Sequence, residues 1–326
     1  MREITYRDAI REAIREEMLR DESVFMIGLD IGKYGGAFGV SRDLLGEFGD
    51  KRIISTPIAE LGTTGLGVGA AAMGLRPIVE IQYVDFSMLA LDQIVNQAGT
   101  MRYRFGGQVT VPLVIRAPQG AGRGTGAHHS QSLEALFYGF PGIKIAIPSN
   151  PYDAKGLLKT AIRDDNPVVF LESKQQYNDK GYVPEEEYLI PFGKANVVRE
   201  GRDITLIAVS SMVNEAVKAA EELEKRGVSV EIIDIRTLYP LDMDLLEKSL
   251  TKTGRLIVAS ESKKIGGVAA DIVAKLMETK AFYCLDAPPI HIGAKLSPLP
   301  LNRKLEKALL PSSESILEVV KERFGL

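Results

Sequence analysis

Cysteine is nearly absent from this chain of 326 residues: Cys284 stands alone, so neither an intrachain disulfide nor a metal site built from several cysteines exists. Histidine is scarce, with three in all. Neither sign of charge dominates. Forty Lys and Arg against forty-three Asp and Glu leave a net charge of -3, and no basic block or aromatic-interleaved basic stripe argues for nucleic acid as a partner. No apolar run reads as a membrane span, because the Gly/Ala stretch before Gly74 is too rich in glycine and too short of large side chains. The first residues, Met1-Arg-Glu-Ile-Thr-Tyr-Arg-Asp8, are charged where a signal peptide needs an apolar core. A cytoplasmic chain is the expectation.

What is present is the composition of an ordinary globular protein, 45% hydrophobic and 25% charged, long enough for two domains with separate cores. Apolar periodicity predicts an amphipathic helix over 5–19, with Ala9, Ile10, Ala13, Ile14 and Met18 on one face. Short apolar strands follow at 24–27, 52–54, 77–83, 111–116, 144–147 and 168–171, most of them separated by helical patterns. Such alternation implies a mostly parallel sheet covered on both faces. A polar stretch holding Asn178-Asp-Lys-Gly181, Pro184-Glu-Glu-Glu187 and Pro191 breaks the pattern and reads as a linker. Beyond it, strands at 204–209, 228–233 and 256–259 alternate with helices near 213–225, 242–250 and 267–277, and a helix near 313–324 closes the chain. The expectation is an α/β protein with a first domain at 1–175, a linker at 176–198 and a second, smaller domain at 199–326.

One segment concentrates the chemistry. In Ser55-Thr-Pro-Ile-Ala-Glu60, followed by Gly62, Gly65, Gly67 and Gly69, a strand runs into a helix start that other groups can approach closely. Open α/β sheets bind ligands at such strand ends, which makes Glu60 the candidate catalytic carboxylate. A first-turn glutamate that merely complements the helix dipole gives the same pattern. Gly65-Leu-Gly67-Val-Gly69 with Asp85 downstream resembles a dinucleotide loop but lacks its glycine spacing, and Lys33 fails the phosphate-loop pattern.

Two further segments matter. Gly120-Ala-Gly122-Arg-Gly124-Thr-Gly126-Ala-His128-His129-Ser130-Gln131 follows a predicted strand, so a mobile, glycine-rich loop delivers two histidines just ahead of a helix. Adjacent histidines point in different directions and neither has a second ligand at i+4, which disfavours a metal; a helix-capping loop with Ser130 as the cap is the plainer alternative. Phe86 lies past another strand end, where its ring could stack on a flat heterocycle or simply join the core.

Taken together, Thr56-Pro-Ile-Ala-Glu60, Gly74-Leu-Arg-Pro-Ile-Val-Glu80, Asp85-Phe-Ser-Met88, Asp92-Gln93, His129-Ser-Gln131, Pro148-Ser-Asn-Pro-Tyr-Asp-Ala-Lys-Gly156, Ala161-Ile-Arg-Asp-Asp-Asn-Pro-Val168 and Asp234-Ile-Arg-Thr-Leu-Tyr-Pro-Leu-Asp242 carry a resemblance. Over essentially its whole length the chain resembles the beta subunit of the thiamine-diphosphate-dependent first component of 2-oxo acid dehydrogenase complexes, of the pyruvate, branched-chain and acetoin types. The resemblance implies a transketolase-like pyrimidine-binding domain followed by a transketolase C-terminal-like domain. It implies oxidative decarboxylation of a 2-oxo acid, with acyl transfer to a lipoyl-bearing dihydrolipoyl acyltransferase.

The residue roles it implies are specific. Glu60 would hydrogen-bond a ring nitrogen of the cofactor's aminopyrimidine, as a buried carboxyl suited to proton transfer. Phe86 would stack on that ring, and His129 would assist acyl transfer to the lipoyl arm. Backbone oxygens around Leu113, Ala161, Asp164 and Asn166 resemble a monovalent-cation (K+) site. Relatives hold the diphosphate and Mg2+ through a Gly-Asp-Gly motif followed by Asn on a separate alpha subunit. That motif does not occur here, so an α2β2 heterotetramer with the active site between chains is implied. Leu29 stands in the cofactor-binding region where relatives usually carry glutamate, Thr63 replaces a large apolar residue, and Gly293-Ala-Lys-Leu-Ser-Pro298 departs from a Thr-x-x-Asp-x-Pro run. Leu29 and Thr63 bear on cofactor activation and substrate choice. The rival readings are an acetoin dehydrogenase beta subunit, the cofactor-activating half of a split transketolase, and an inert scaffolding subunit.

Overall fold

In the computed structural model, which describes residues 1–325, the chain separates into two compact units. The first comprises Met1–Gln119 and Leu136–Phe192, and the second comprises Gly120–Ala135 and the chain from Gly193 onward. This division differs from a single break at 176–198: the histidine-bearing segment groups with the second unit.

In the first unit, β1 (Arg2–Thr5) leads into α1 (Tyr6–Arg20), and Thr5 caps that helix by accepting from the Asp8 N–H at 3.1 Å. The apolar face expected over 5–19 is buried, with Ile10, Ile14 and Met18 in the core. The sheet strands are β2 (Val24–Leu29), β3 (Ile53–Thr56), β4 (Arg76–Glu80), β5 (Val114–Gln119), β6 (Lys144–Ala146) and β7 (Val168–Ser173). They run in the spatial order β6, β7, β5, β4, β2, β3, and neighbouring strands pair in parallel. Helices α2 (Leu44–Phe48), α3 (Glu60–Ala72) and α4 (Gly99–Arg104) belong to this unit, and α5 (Glu134–Tyr138) follows the histidine segment. Next comes α6 (Pro151–Arg163), where Asn150 caps the N-terminus, Pro151 starts the helix and Leu157, Leu158 and Ile162 pack inward. The stretch expected as a linker contains a helical turn, Lys174–Asn178, and β8 (Lys180–Val183), which pairs antiparallel with β1.

The second unit has its own sheet of β9 (Asn196–Arg199), β10 (Ile204–Ala208), β11 (Val230–Asp234), β13 (Leu256–Lys263) and β14 (Ile290–Ala294), with β12 (Thr237–Tyr239) as a short strand after β11. The spatial order is β14, β13, β10, β11, β9, parallel except for the edge strand β9. Its helices are α7 (Met212–Glu224), α8 (Met243–Thr253), α9 (Val268–Met277), α10 (Arg303–Lys307) and α11 (Ser313–Phe324). Ile204, Leu206, Ala220, Leu223, Ile257 and Ile316 lie in its separate core. Two α/β units with mostly parallel sheets flanked by helices are the fold class that the periodicity implied.

Candidate active site

Register brings the site together at the carboxyl ends of the first unit's strands. Leu29, the last residue of β2, pairs with Thr56, the last of β3, and Gly28 lies beside Glu80 at the end of β4. Four residues after β3 the chain enters α3, with Glu60 as its first residue. The helix approaches the sheet closely because Gly67 has no side chain: a Cβ there would lie 2.6 Å from Val79 Cγ2. A pocket forms at the junction, lined among others by Leu29, Thr56, Glu60, Thr63, Thr64, Glu80 and Gln82.

Polar groups in this pocket are left open. The Glu60 carboxylate is half-buried, not fully buried as the resemblance implied, and makes no hydrogen bond or ion pair among the described residues. One turn further, at i+4 on the same helix face, Thr64 is fully buried and its Oγ1 has no hydrogen-bond partner among the described residues. A buried hydroxyl without a partner is costly and signals a ligand-facing position or stored strain. Thr63 Oγ1 donates to Thr56 Oγ1 at 3.3 Å, so the hydroxyl at this departure from the family pattern joins the strand end to the helix.

Beneath the pocket lies a charge network with no counterpart in the sequence reading. Arg116 on β5 is fully buried; its Nε and Nη2 donate to the two carboxylate oxygens of Glu172 at 2.5 and 2.7 Å, and its Nη1 donates to Glu80. The Tyr177 hydroxyl donates to Glu172 Oε2 at 2.6 Å. Burial pushes the Glu80 carboxyl up, Arg116 opposes that rise, and Glu172 adds to it. Burial opposes charge on Arg116, but the two carboxylates outweigh it and hold the guanidinium firmly protonated. The available signal was a lone charge ending each of three apolar strand patterns, at Glu80, Arg116 and Glu172. Sequence alone does not tell which strands are neighbours.

Phe86 is half-buried in a helical turn, Val84–Ala90, with Tyr83 edge-on to its ring at 6.2 Å. It is not among the residues lining the Glu60 pocket. Leu113, Ala161, Asp164 and Asn166 meet around the turn between α6 and β7. The Val168 N–H donates to the Leu113 carbonyl at 2.8 Å, the Asp164 N–H to the Ala161 carbonyl at 3.2 Å, and Arg76 to the Asp164 carbonyl at 3.1 Å. Asp164 Oδ2 accepts from Lys144.

His129 belongs to the second unit. It is half-buried, while His128 is exposed. Gly120, Gly122, Gly124 and Gly126 all take positive φ, from +67° to +96°, which makes glycine the natural residue at each. The Thr125 hydroxyl donates to the His129 carbonyl at 3.0 Å and pairs with Ser130 Oγ at 2.9 Å. Ser130 therefore faces Thr125, and α5 begins only at Glu134.

With this geometry in view, residues 2–180 match the transketolase pyrimidine-binding domain and residues 193–316 the transketolase C-terminal domain. The pyruvate dehydrogenase E1 component subunit beta of Gracilaria tenuistipitata var. liui is 46% identical over 321 residues, 98% of this chain and 99% of the relative. The chain belongs to the beta-subunit family of 2-oxo acid dehydrogenase first components. Within that family, the acetoin:2,6-dichlorophenolindophenol oxidoreductase subunit beta of Bacillus subtilis (strain 168) is 45% identical, covering 99% of this chain and 98% of its own. The 2-oxoisovalerate dehydrogenase subunit beta of the same organism is 42% identical, covering 98% of each. Near-equal likeness to three activities leaves substrate choice to the site itself. A solved structure of a split-gene transketolase, an inactive beta4 tetramer, superposes with a TM-score of 0.78 over 99% of both chains at 21% identity, and shows the shared fold.

Proposed function

We propose that this chain is the cofactor-activating beta half of a thiamine-diphosphate-dependent 2-oxo acid dehydrogenase, active only with an alpha subunit. The observation that carries this reading is Glu60: a half-buried carboxylate without a protein partner among the described residues, on a strand-end pocket that also holds the unpaired Thr64 hydroxyl. An open acceptor and an open hydroxyl fit a flat ring bearing nitrogens and an amino group, as the aminopyrimidine of thiamine diphosphate does. When bound, that cofactor supplies the carbon nucleophile and the electron sink for decarboxylation.

The chain's own residues do the positioning. Glu60 would hydrogen-bond a pyrimidine nitrogen of the bound cofactor and exchange a proton with it, an acid–base role. Phe86, which lies outside the pocket lining and has Tyr83 edge-on to its ring, would stack on the pyrimidine from beyond that lining, as the family resemblance implies. Leu29, paired with Thr56 at the strand ends, makes that wall of the pocket apolar. His129 assists acyl transfer to the lipoyl arm of the acyltransferase. Mg2+ and the diphosphate are assigned to the alpha subunit of an α2β2 assembly, since this sequence carries no Gly-Asp-Gly motif followed by Asn. Leu113, Ala161, Asp164 and Asn166 are assigned to a monovalent cation such as K+ by the family resemblance; the Leu113, Ala161 and Asp164 carbonyls each accept one N–H and keep a second lone pair for an ion. The single cysteine supports a reducing, cytoplasmic setting.

The test is thiamine diphosphate binding with Mg2+, by calorimetry, on this chain alone and after co-expression with a candidate alpha subunit. Dye reduction with pyruvate, a branched 2-oxo acid, acetoin and a sugar-phosphate donor then follows. Binding and 2-oxo acid or acetoin turnover in the mixture alone is the expected result. Turnover of the sugar phosphate instead would assign the chain to a split transketolase, and no binding in either sample would leave a scaffolding subunit.

A further inference from the structure

We infer that Glu261 is a positioning residue for His129, holding both ends of the glycine-rich histidine loop with one carboxylate. The inference rests on the acyl-transfer role proposed for His129, and every group in it lies in the second unit.

Glu261 sits near the end of β13, half-buried. Its Oε1 accepts the Ala121 N–H at 2.6 Å, at the start of the loop, and the Ser132 hydroxyl at 3.2 Å, just past its end. Its Oε2 accepts the Ser211 hydroxyl at 2.9 Å, tying the carboxylate to the residue that precedes α7. Between the anchored ends, the Gly120 N–H donates to the Gln131 carbonyl at 2.9 Å and closes the loop. A second glutamate, Glu306 on α10, is 1% exposed and accepts the Gly124 N–H at 3.0 Å. The loop expected to be mobile from its four glycines is thus held at its base by Glu261 and midway by Glu306.

Charge-assisted hydrogen bonds of this kind are the stronger ones, and three donors on one carboxylate fix its plane. Gly120 belongs to the same device. A Cβ there would lie 2.8 Å from Glu261 Oε1, and its φ of +96° is unfavourable for other residues. The four glycines therefore give the loop its path, and the carboxylate holds that path in place. His129 sits between the two fixed ends, so its ring position depends on Glu261 without any contact between them being required.

The experiment uses the assembled complex with its alpha subunit and compares two activities of each variant: reductive acylation of a lipoyl domain and 2-oxo acid-dependent dye reduction. Glu261→Gln replaces one acceptor oxygen with a donor, so it cannot accept all three hydrogen bonds. The ratio of lipoyl acylation to dye reduction is expected to fall about tenfold. Ser132→Ala, which removes one anchor and leaves the carboxylate in place, is expected to lower it several-fold and serves if Glu261→Gln does not assemble. His129→Ala should lower the same ratio, and adding Glu261→Gln to it should cause no further fall. An unchanged ratio in both Glu261→Gln and Ser132→Ala, or additive losses in the double variant, would overturn the positioning role while leaving His129 standing. An unchanged ratio in His129→Ala would remove the acyl-transfer reading and this inference with it.

Discussion

Glu60 and Thr64 occupy successive turns of one helix and open into one pocket, yet they answer to different physics. A carboxylate at a helix start is stabilised wherever it points. A buried hydroxyl without a partner is destabilising until something meets it. Thr64→Val should therefore leave the free chain as stable or raise its stability by about 1 kcal/mol, while weakening thiamine diphosphate binding by the assembled complex. Denaturant unfolding and calorimetry measure the two, and unchanged cofactor affinity would make Thr64 a purely structural orphan. Glu60→Gln should leave the fold intact and lower turnover by about 10²- to 10⁴-fold, the usual worth of a general acid–base group. Full activity in the reconstituted complex would end its catalytic assignment. Arg116 is the opposite case, since its removal exposes nothing but strands two buried carboxylates. Arg116→Met should cost about 3–5 kcal/mol in urea unfolding, and a loss within experimental error would mean that the buried network adds little to stability.

At the scale of elements, the pocket beside Glu60 exists because α3 lies close to β4. Gly67→Ala places a methyl group against Val79 and should cost about 1–3 kcal/mol, with a rise in the cofactor concentration needed for half-maximal activity. A stability loss without that rise would show that the helix retreats without moving Glu60. The pair of helices α1 and α6 contributes to the acid sensitivity. Burial pushes the Glu16 carboxyl up, but the Lys155 and Lys159 ammonium groups override it and hold Glu16 below its ordinary value of 4.5. A carboxylate lowered in the folded state contributes stability that is present above the unfolded pKa and lost as pH falls through the folded one. The thermal midpoint should therefore drop on acidification below about pH 4.5, and Glu16→Gln should flatten that drop.

These same elements show what the sequence makes legible. The 3.6-residue period of Ala9, Ile10, Ala13, Ile14 and Met18 places α1 within a residue at each end, because one helix face alone decides it. The strand expected at 111–116 begins at Val114 and that expected at 77–83 ends at Glu80, since apolar runs do not mark where pairing stops. β1 and β8 escape notice, being short, largely solvent-facing strands paired across some 180 residues of sequence. The glycine run marks the helix start at Glu60, a local feature. The Arg116 network and the Glu261 anchors depend on partners far away in the chain, and no local pattern tells which groups meet.

For the whole molecule, membership of the beta-subunit family implies an alpha-subunit partner, and the surface of the first unit is consistent with one. Leu61, Leu66 and Met73 on and just after α3, with Met88, Leu89 and Tyr103, are each more than half exposed. Exposed apolar side chains on α3 and on the helical turns packed beside it suit a face that another chain covers. Leu66→Glu should lower the yield of hetero-oligomer in sedimentation analysis without altering the circular dichroism of the free chain. Equal assembly by that variant would move the contact elsewhere. Among the described residues, no helix is long and apolar enough to cross a membrane.

The path of the chain has a further consequence. Because Gly120–Ala135 folds with the second unit while the residues on either side fold with the first, no single scission divides this polypeptide into its two units. A gene broken near residue 193 would leave the histidine loop on one product and Glu261, its anchor, on the other. Exchange of either product alone would part the loop from its anchor, so the two halves are matched to each other by this crossing of the chain.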